Sequence, residues 1–587
     1  MNTLLSNRFT FLTVNIFLFL ILINAISTGQ SFVEINAGIT GVSNSSAMWG
    51  DYDNDKDLDI IISGETSDGS TITKIYNNDN SSFTDISAGL TGINKGAVAW
   101  GDYDNDGDLD VVSTGEDSNQ NTYIYKNEDG EFININAALD YFGPFSYGCW
   151  GDYDNDGDLD IFITGGWSSK LYRNDGQDIF TDSEYEFFVL NSGRADWGDY
   201  DMDGDLDLLL TGDTGGGMEL YLYKNNDGIF EEFNLANMGL SAGSVEWGDY
   251  DSDGDLDILI MGFDNNVEPG SRIFRNDGEH IFVNIYASLP PVALGNASWG
   301  DFDNDGDLDV ALTGKLAGCG VFVSGVYENM GNDFFTDANA GLLAAQQSTI
   351  AWGDFDNDTD LDIFLSGSSY TGGSFTKIYR NDFSLPNILP DEPQNLSVDF
   401  SASKVILSWD KGNDPQTPQD GLSYNIRIGT SPLECNNLSP MSHIDDGYRK
   451  IAAFGNTSQS NFWTIAGLEE GVTYYWSVQT IDNTYAASEF SEEQSFFVTY
   501  TGTKKVNNEE LSFYFYPNPA KDFIIFTFQN SEPENLYLEI YTLTGEIIKR
   551  QQISNTEKID VSDFEKGVYF FSIIRNDSYY NKRVIIK

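Results

Sequence analysis

The chain has 587 residues, is 40% hydrophobic and 14% aromatic, and carries a formal net charge of −63. That length exceeds one hydrophobic core and implies several domains, and the composition is that of a folded, β-rich protein. Such acidity excludes nucleic-acid backbones and anionic lipid as partners, since both would be repelled.

Residues 1–29 read as a signal peptide. Arg8 ends a short n-region, an apolar run follows, and the small residues of AISTG offer cleavage after Ser27 or Gly29. A membrane anchor is the alternative. The run is interrupted by Thr13 and Asn15 and no basic stop-transfer cluster follows, so no membrane span is expected in the mature form. Cys149, Cys319 and Cys435 are odd in number and widely spaced, which excludes a disulfide framework. Only His280 and His443 are present, in separate predicted domains, so no His-rich zinc site can be assembled in either.

The segment WGDYDNDGDLD, or a close variant, then recurs seven times, with its tryptophan at Trp49, Trp100, Trp150, Trp197, Trp247, Trp299 and Trp352. A period near 50 residues marks a propeller, a solenoid or an array. Each unit reads as a short apolar run, the acidic loop, an apolar strand such as LDIFITG, a variable polar loop, a third strand such as KLYRN, a tight NDG or EDG turn and a fourth strand. Four meandering strands per unit predict a propeller blade. The seventh unit stops after its third strand, and SFVEINAGIT near the N-terminus resembles the fourth strands FTDISAGL and FVNIYASL. That N-terminal segment is therefore expected to close blade seven, giving a seven-bladed β-propeller over 30–384.

In DYDNDGDLD, carboxylates stand at positions one, three, five and nine, with Gly at six. A hard cation such as calcium takes six to eight oxygens, and this loop offers four carboxylates and a backbone carbonyl at position seven. An EF-hand is excluded, because its position-twelve Glu is replaced by Ser113 or Ile163 inside a strand. A solvated acidic loop, or magnesium or manganese in place of calcium, are the other readings. The motif resembles the FG-GAP/VCBS repeats of integrin-α-like propellers, whose signature is DxDxDGxxD. The resemblance implies calcium ligands Asp51, Asp53, Asp55 and Asp59 in the first loop, Asp102, Asp104, Asp106 and Asp110 in the second, and Asp152, Asp154, Asp156 and Asp160 in the third. It implies Asp199, Asp201, Asp203 and Asp207 in the fourth, and Asp249, Asp251, Asp253 and Asp257 in the fifth. Asp301, Asp303, Asp305 and Asp309 follow in the sixth, and Asp354, Asp356, Asp358 and Asp362 in the seventh. The position-seven residues Asp57, Asp108, Asp158, Asp205, Asp255, Asp307 and Asp360 complete the candidate set, for up to seven structural Ca²⁺ ions. Lys56 and Thr359 replace the position-six Gly, so loops one and seven are expected to be the weakest sites.

The repeated tryptophans are expected in the core between blades, whereas Trp167, in a short loop, is a candidate for stacking on a sugar. The acidic loops and tight turns share one face of the predicted propeller. The loops of the opposite face differ in every unit, and that face is the expected working surface.

Residues 385–395 read as a proline-bearing linker, and 385–500 resemble a fibronectin type III domain with Trp409, Tyr424, Leu468 and Tyr474 in its core, interrupted by the insertion SPLECNNLSPMSHIDDGYRK. Its expected role is a spacer. After a linker at 501–512, residues 513–587 resemble the type A C-terminal sorting domain of the type IX secretion system, through Tyr516, Pro517, Asn518, Pro519, Gly545, Gly567, Tyr569 and the terminal KRVIIK. The expected fold is all-β throughout, ending in a small β-sandwich. The resemblances imply a protein secreted by, or attached to the surface of, a Bacteroidetes-type bacterium, with the type IX machinery as one partner and an extracellular glycan or surface protein as another. A calcium-dependent binding or adhesion protein is the leading expectation. The alternative is a lyase-like polysaccharide-degrading enzyme, for which Lys315, Arg194 and Tyr141 are scattered candidates.

Overall fold

The computed structural model describes residues 32–498 and 513–586, except for Trp167, Glu279, Cys319, Ser384, 402–403 and short stretches between 517 and 577. The expected signal peptide, the 501–512 linker, the stacking candidate Trp167 and, in the sorting domain, Pro517–Pro519 and Gly545 lie outside the described residues. Every described element is a strand, and no helix among them is long and apolar enough to cross a membrane.

Two compact units divide the chain, Met1–Thr499 and Tyr500–Lys587. In the first, each acidic loop joins the first and second strands of an antiparallel sheet. Repeat one comprises Val42–Gly50, Asp59–Thr66, Thr71–Asp79 and Ser82–Asp85, paired in that order. Repeat seven has three strands of its own, Gln346–Gly353, Asp362–Ser368 and Ser374–Arg380. Its fourth is the N-terminal Val33–Ile35, with Val33 opposite Arg380. The second strands, such as Asp207–Asp213 and Asp257–Phe263, are buried on both faces, which explains their unbroken apolar runs. First strands touch those of the next repeat in sequence, that of repeat seven touches that of repeat one, and residues in or beside all seven first strands line a central cavity.

Neighbouring repeats interlock through the Trp-Gly-Asp-aromatic stretch. In five of the seven repeats the aromatic residue at position two stacks on the next repeat's tryptophan, as Tyr103 on Trp150 at 5.9 Å, Tyr200 on Trp247 at 6.0 Å and Phe302 on Trp352 at 6.4 Å. The glycine after each tryptophan lies beneath the next indole, and a Cβ at Gly50 would fall 2.6 Å from Trp100 Cδ1. The Trp-Gly pair is thus a packing unit, and the expectation of tryptophan as core is met at Trp49, Trp100, Trp247, Trp299 and Trp352, all buried.

Two three-stranded sheets follow. Lys404–Asp410 lies between Gln394–Ser401 and Phe462–Ile465, and Thr473–Ile481 lies between Ser423–Gly429 and Gln494–Phe497. Trp409, Tyr424, Leu468 and Tyr474 are all buried between them. This sandwich does not stand apart as a spacer would. It packs on the acidic loops, in part through the 431–450 stretch that the sequence marks as an insertion. Asp51 N donates to Lys450 O at 2.8 Å, Ser439 N to Asn105 Oδ1 at 2.7 Å, Ala466 N to Asn155 O at 2.7 Å and Asp301 N to Asn483 O at 3.0 Å. The 385–395 segment is fastened as well: buried Asn387 bonds Asp482 and Thr484 at 2.7 and 2.8 Å.

The second unit, by itself, pairs a three-stranded sheet (Phe513–Tyr516, Phe523–Phe528, Thr556–Asp560) with a four-stranded one (Leu536–Thr542, Ile547–Ile553, Gly567–Arg575, Ser578–Ile586). Ile524, Leu538, Ile540, Ile559, Phe571 and Ile573 form its core.

Candidate metal centres

Each acidic loop is shaped by its own carboxylates. The position-one aspartate accepts the backbone N–H of positions five and six: Asp102 Oδ1 from Asp106 at 3.1 Å and Oδ2 from Gly107 at 3.0 Å. All seven loops repeat this pair, and position five in turn accepts the N–H of position seven, as Asp108 N to Asp106 Oδ1 at 3.0 Å. Position six has a positive φ throughout, including Lys56 at 72° and Thr359 at 77°, where a Cβ is strained. Position nine is buried and held by two backbone donors: Asp110 accepts from Tyr103 N at 3.1 Å and Asn127 N at 2.8 Å.

Position three differs. Asp104, Asp154, Asp201, Asp303 and Asp356 each keep Oδ1 buried without a hydrogen-bond partner. A buried acceptor left unpaired costs on the order of 1–3 kcal/mol, more when charged. In Asp51, Asp53 and Asp59, in Asp102, Asp104 and Asp110, and in Asp152, Asp154 and Asp160, one carboxylate oxygen from each residue falls within 4.8 Å of the others, and the loops of repeats four and five hold similar groups. Burial, and then the neighbouring carboxylates, push these groups far above the usual range: Asp59, Asp110 and Asp257 to about 9, Asp199 and Asp249 to about 8, Asp303 to about 7. Orphaned oxygens, convergent carboxylates and suppressed ionisation together fit a hard, oxygen-seeking cation.

The position-seven side chains serve a different end. Asn54, Asn105, Asn155, Asn304 and Asn357, at position four, donate Nδ2 to the position-seven carboxylates Asp108, Asp158, Asp205, Asp360 and Asp57 of the next repeat. These five aspartates therefore tie neighbouring repeats together.

Several contributors were not legible in the motif. The asparagine ending each third strand bridges repeats: Asn78 Nδ2 donates to Leu58 O at 3.1 Å and to Phe355 O at 2.8 Å, and Asn225 Nδ2 to Tyr153 O at 2.7 Å. Its recurrence in YKN and YRN was the available signal. The residue before it faces the acidic loop and varies in charge. Lys126 pairs with Asp104 at 2.6 Å and Asp106 at 3.4 Å. Lys224 pairs with Asp201 and, at 3.0 Å, with Asp203. In repeat six the residue is Glu328, whose charge helps to raise Asp303, after burial and Asp305. Lys56 pairs with Asp445 at 3.2 Å and Asp446 at 2.7 Å of the sandwich. His443 Nε2 lies 2.7 Å from Asp51 Oδ2.

Of the scattered enzyme candidates, Arg194 lines the central channel, while Lys315 and Tyr141 are not among its lining residues. Cys149 and Cys435 are free thiols, and burial pushes both pKa values up, as suits inert side chains.

The class of protein these features define is an all-β repeat protein with an acidic loop in every repeat whose carboxylates could hold a metal ion. Comparison with known families finds the FG-GAP-like repeat at 51–113, 152–210 and 199–260 and the secretion system C-terminal sorting domain at 514–587. The sorting domain supports a secreted or cell-surface protein of a Bacteroidetes-type bacterium and implies contact with the type IX secretion machinery. No curated protein matches the chain. Among solved structures, a lectin of Agrocybe aegerita, described as recognising non-reducing terminal N-acetylglucosamine, is 17% identical with a TM-score of 0.35, over 51% of this chain and 81% of that one. A two-domain fibronectin type III segment of chicken tenascin is 12% identical with a TM-score of 0.12, over 33% of this chain and 99% of that one. At such TM-scores neither is evidence of a common fold.

Proposed function

We propose that the chain is a calcium-binding adhesion or recognition protein of the cell exterior, built on a seven-bladed β-propeller and capped by a fibronectin type III-like domain. In each blade the position-one, -three, -five and -nine carboxylates and the position-seven carbonyl would hold one ion. Bound calcium would supply the positive charge that these desolvated carboxylates lack and would cross-link both strands at the loop. Its role is structural.

One observation carries the functional part: the sandwich packs on the face bearing the acidic loops. In an antiparallel meander the second–third and fourth–first connections lie at the other end of the sheets. That face, irregular from blade to blade, is the surface left for a glycan or a surface protein, and loops on a rigid scaffold are where recognition concentrates. The test is a screen of glycans and surface proteins against the full chain, with calcium and with chelator. Binding that needs calcium and is blocked by substitutions in the variable loops supports the reading. Absence of any ligand under both conditions counts against it.

A further inference from the structure

We propose that the central channel is a binding site for a single acidic sugar residue, whose carboxylate is taken by Arg194. The proposal rests on the recognition reading above and places one ligand group inside the ring of first strands, beyond the loop tips.

The channel holds a cavity of about 250 Å³, the scale of one small ligand and not of a polymer. Along the first strands alternate side chains face inward, and Ser46, Tyr147, Arg194, Glu246, Asn296 and Thr349 line the space. Arg194 is the cation among these lining residues. Lys95, Lys126, Arg173, Lys224, Arg275 and Arg380 all pair with carboxylates. Among the described residues Arg194 makes no such pair. Its guanidinium lies 5.4 Å from the Tyr147 ring centroid, and one N–H donates to Gly193 O at 2.8 Å. Burial pulls its pKa down, and the neighbouring Tyr147 acts in the opposite direction.

A guanidinium with free donors suits a carboxylate, which it can bind through two parallel hydrogen bonds. Tyr147 adds an aromatic face beside that position, and Glu246, Asn296, Ser46 and Thr349 supply acceptors and donors for hydroxyl groups. The sandwich closes one end: Ala452 and Tyr485 line the channel, and the Tyr485 hydroxyl donates to Trp299 O at 2.5 Å.

The experiment titrates the calcium-loaded full chain with galacturonate, glucuronate and the neutral sugar galactose, read by calorimetry and tryptophan fluorescence. At least one uronate is expected to bind about tenfold or more tighter than galactose. Arg194→Met should remove that preference, and Arg194→Lys should retain part of it. Melting temperature is measured alongside, to separate a loss of binding from a loss of folding in Arg194→Met. If Arg194→Met fails to fold, Arg194→Lys and Glu246→Gln carry the test. Equal binding of uronate and galactose, no uronate binding at all, or unchanged uronate affinity in both arginine variants would overturn the proposal. A glycan or protein hit in the wider screen that persists in Arg194→Met removes the channel site while leaving the outer-face reading intact.

Discussion

Phe355 of the last repeat stacks on Trp49 of the first, with ring centroids 6.0 Å apart and planes 9° from parallel. The same contact joins repeats two and three, four and five, five and six, and six and seven, so the junction between repeats seven and one is built like these four. Gly353 completes it, since a Cβ there would lie 2.7 Å from Trp49 Cδ1. Gly353→Ala is expected to cost about 1–3 kcal/mol through overpacking and to lower the melting temperature. Gly373→Ala, where the nearest atom is Ser67 Oγ at 3.8 Å, is the control. An equal effect of the two would show that the junction is not tightly packed.

Calcium removal should destabilise the first unit, and more so as pH rises. Asp59, Asp110 and Asp257 have pKa values near 9 in the metal-free fold, against about 3.9 unfolded. A raised folded value means that the folded state holds the extra protons. The associated stability is complete below about pH 4 and is lost as pH climbs through 9. Chelated protein should therefore melt at a lower temperature at pH 9 than at pH 6. Calcium should reverse the trend, because it binds the ionised form of the native loops. Identical melting curves with and without calcium at pH 8 would refute the metal assignment.

The seven sites should differ in strength according to the third-strand residue facing each loop. Lys126 and Lys224 already neutralise Asp104 and Asp201, whereas Glu328 adds negative charge beside Asp303. Terbium titration should find the repeat-six site among the tightest. Glu328→Gln should weaken one site by severalfold, and Lys126→Gln should strengthen another. Unchanged titration curves for both variants would remove this ranking.

Thr359 holds a φ of 77°, and its Oγ1 is buried without a partner. Thr359→Gly should stabilise the protein by about 1 kcal/mol, since a β-branched residue is strained in the left-handed region. Lys56 also sits there, but it makes two ion pairs with the sandwich, so Lys56→Gly should gain less. Thermal melts of the two variants in calcium compare these effects directly.

The sandwich and the acidic loops should loosen together. Asn483 O accepts Asp301 N, and Asn483 Nδ2 donates to Gly306 O at 2.9 Å, so the loop of repeat six needs its ordered shape to seat the sandwich. Hydrogen exchange should rise at 436–459 and 482–487 on chelation, and Tyr485→Ala should produce the same pattern with calcium present. Unchanged exchange in these segments on chelation would mean that docking is independent of the loops.

The local chemistry was legible in the sequence because it is encoded within nine residues. Carboxylates at alternate positions and a glycine at six dictate a turn whose backbone donors fold onto its own aspartates, as Asp102 receives Asp106 and Gly107. The pairing of Val33–Ile35 with Ser374–Arg380 was legible too, because an incomplete last unit and an orphan first strand each lack a partner for their backbone. Tertiary structure decided the rest. That the position-seven Asp158 accepts a bond from Asn105 of the preceding repeat depends on a neighbour some fifty residues away. Lys56 turned away from its own loop because Asp445 and Asp446, nearly four hundred residues on, lie closer to its ammonium. The sandwich reads as a spacer from composition alone, since docking depends on the match between two folded surfaces and no run of residues in either chain segment records it.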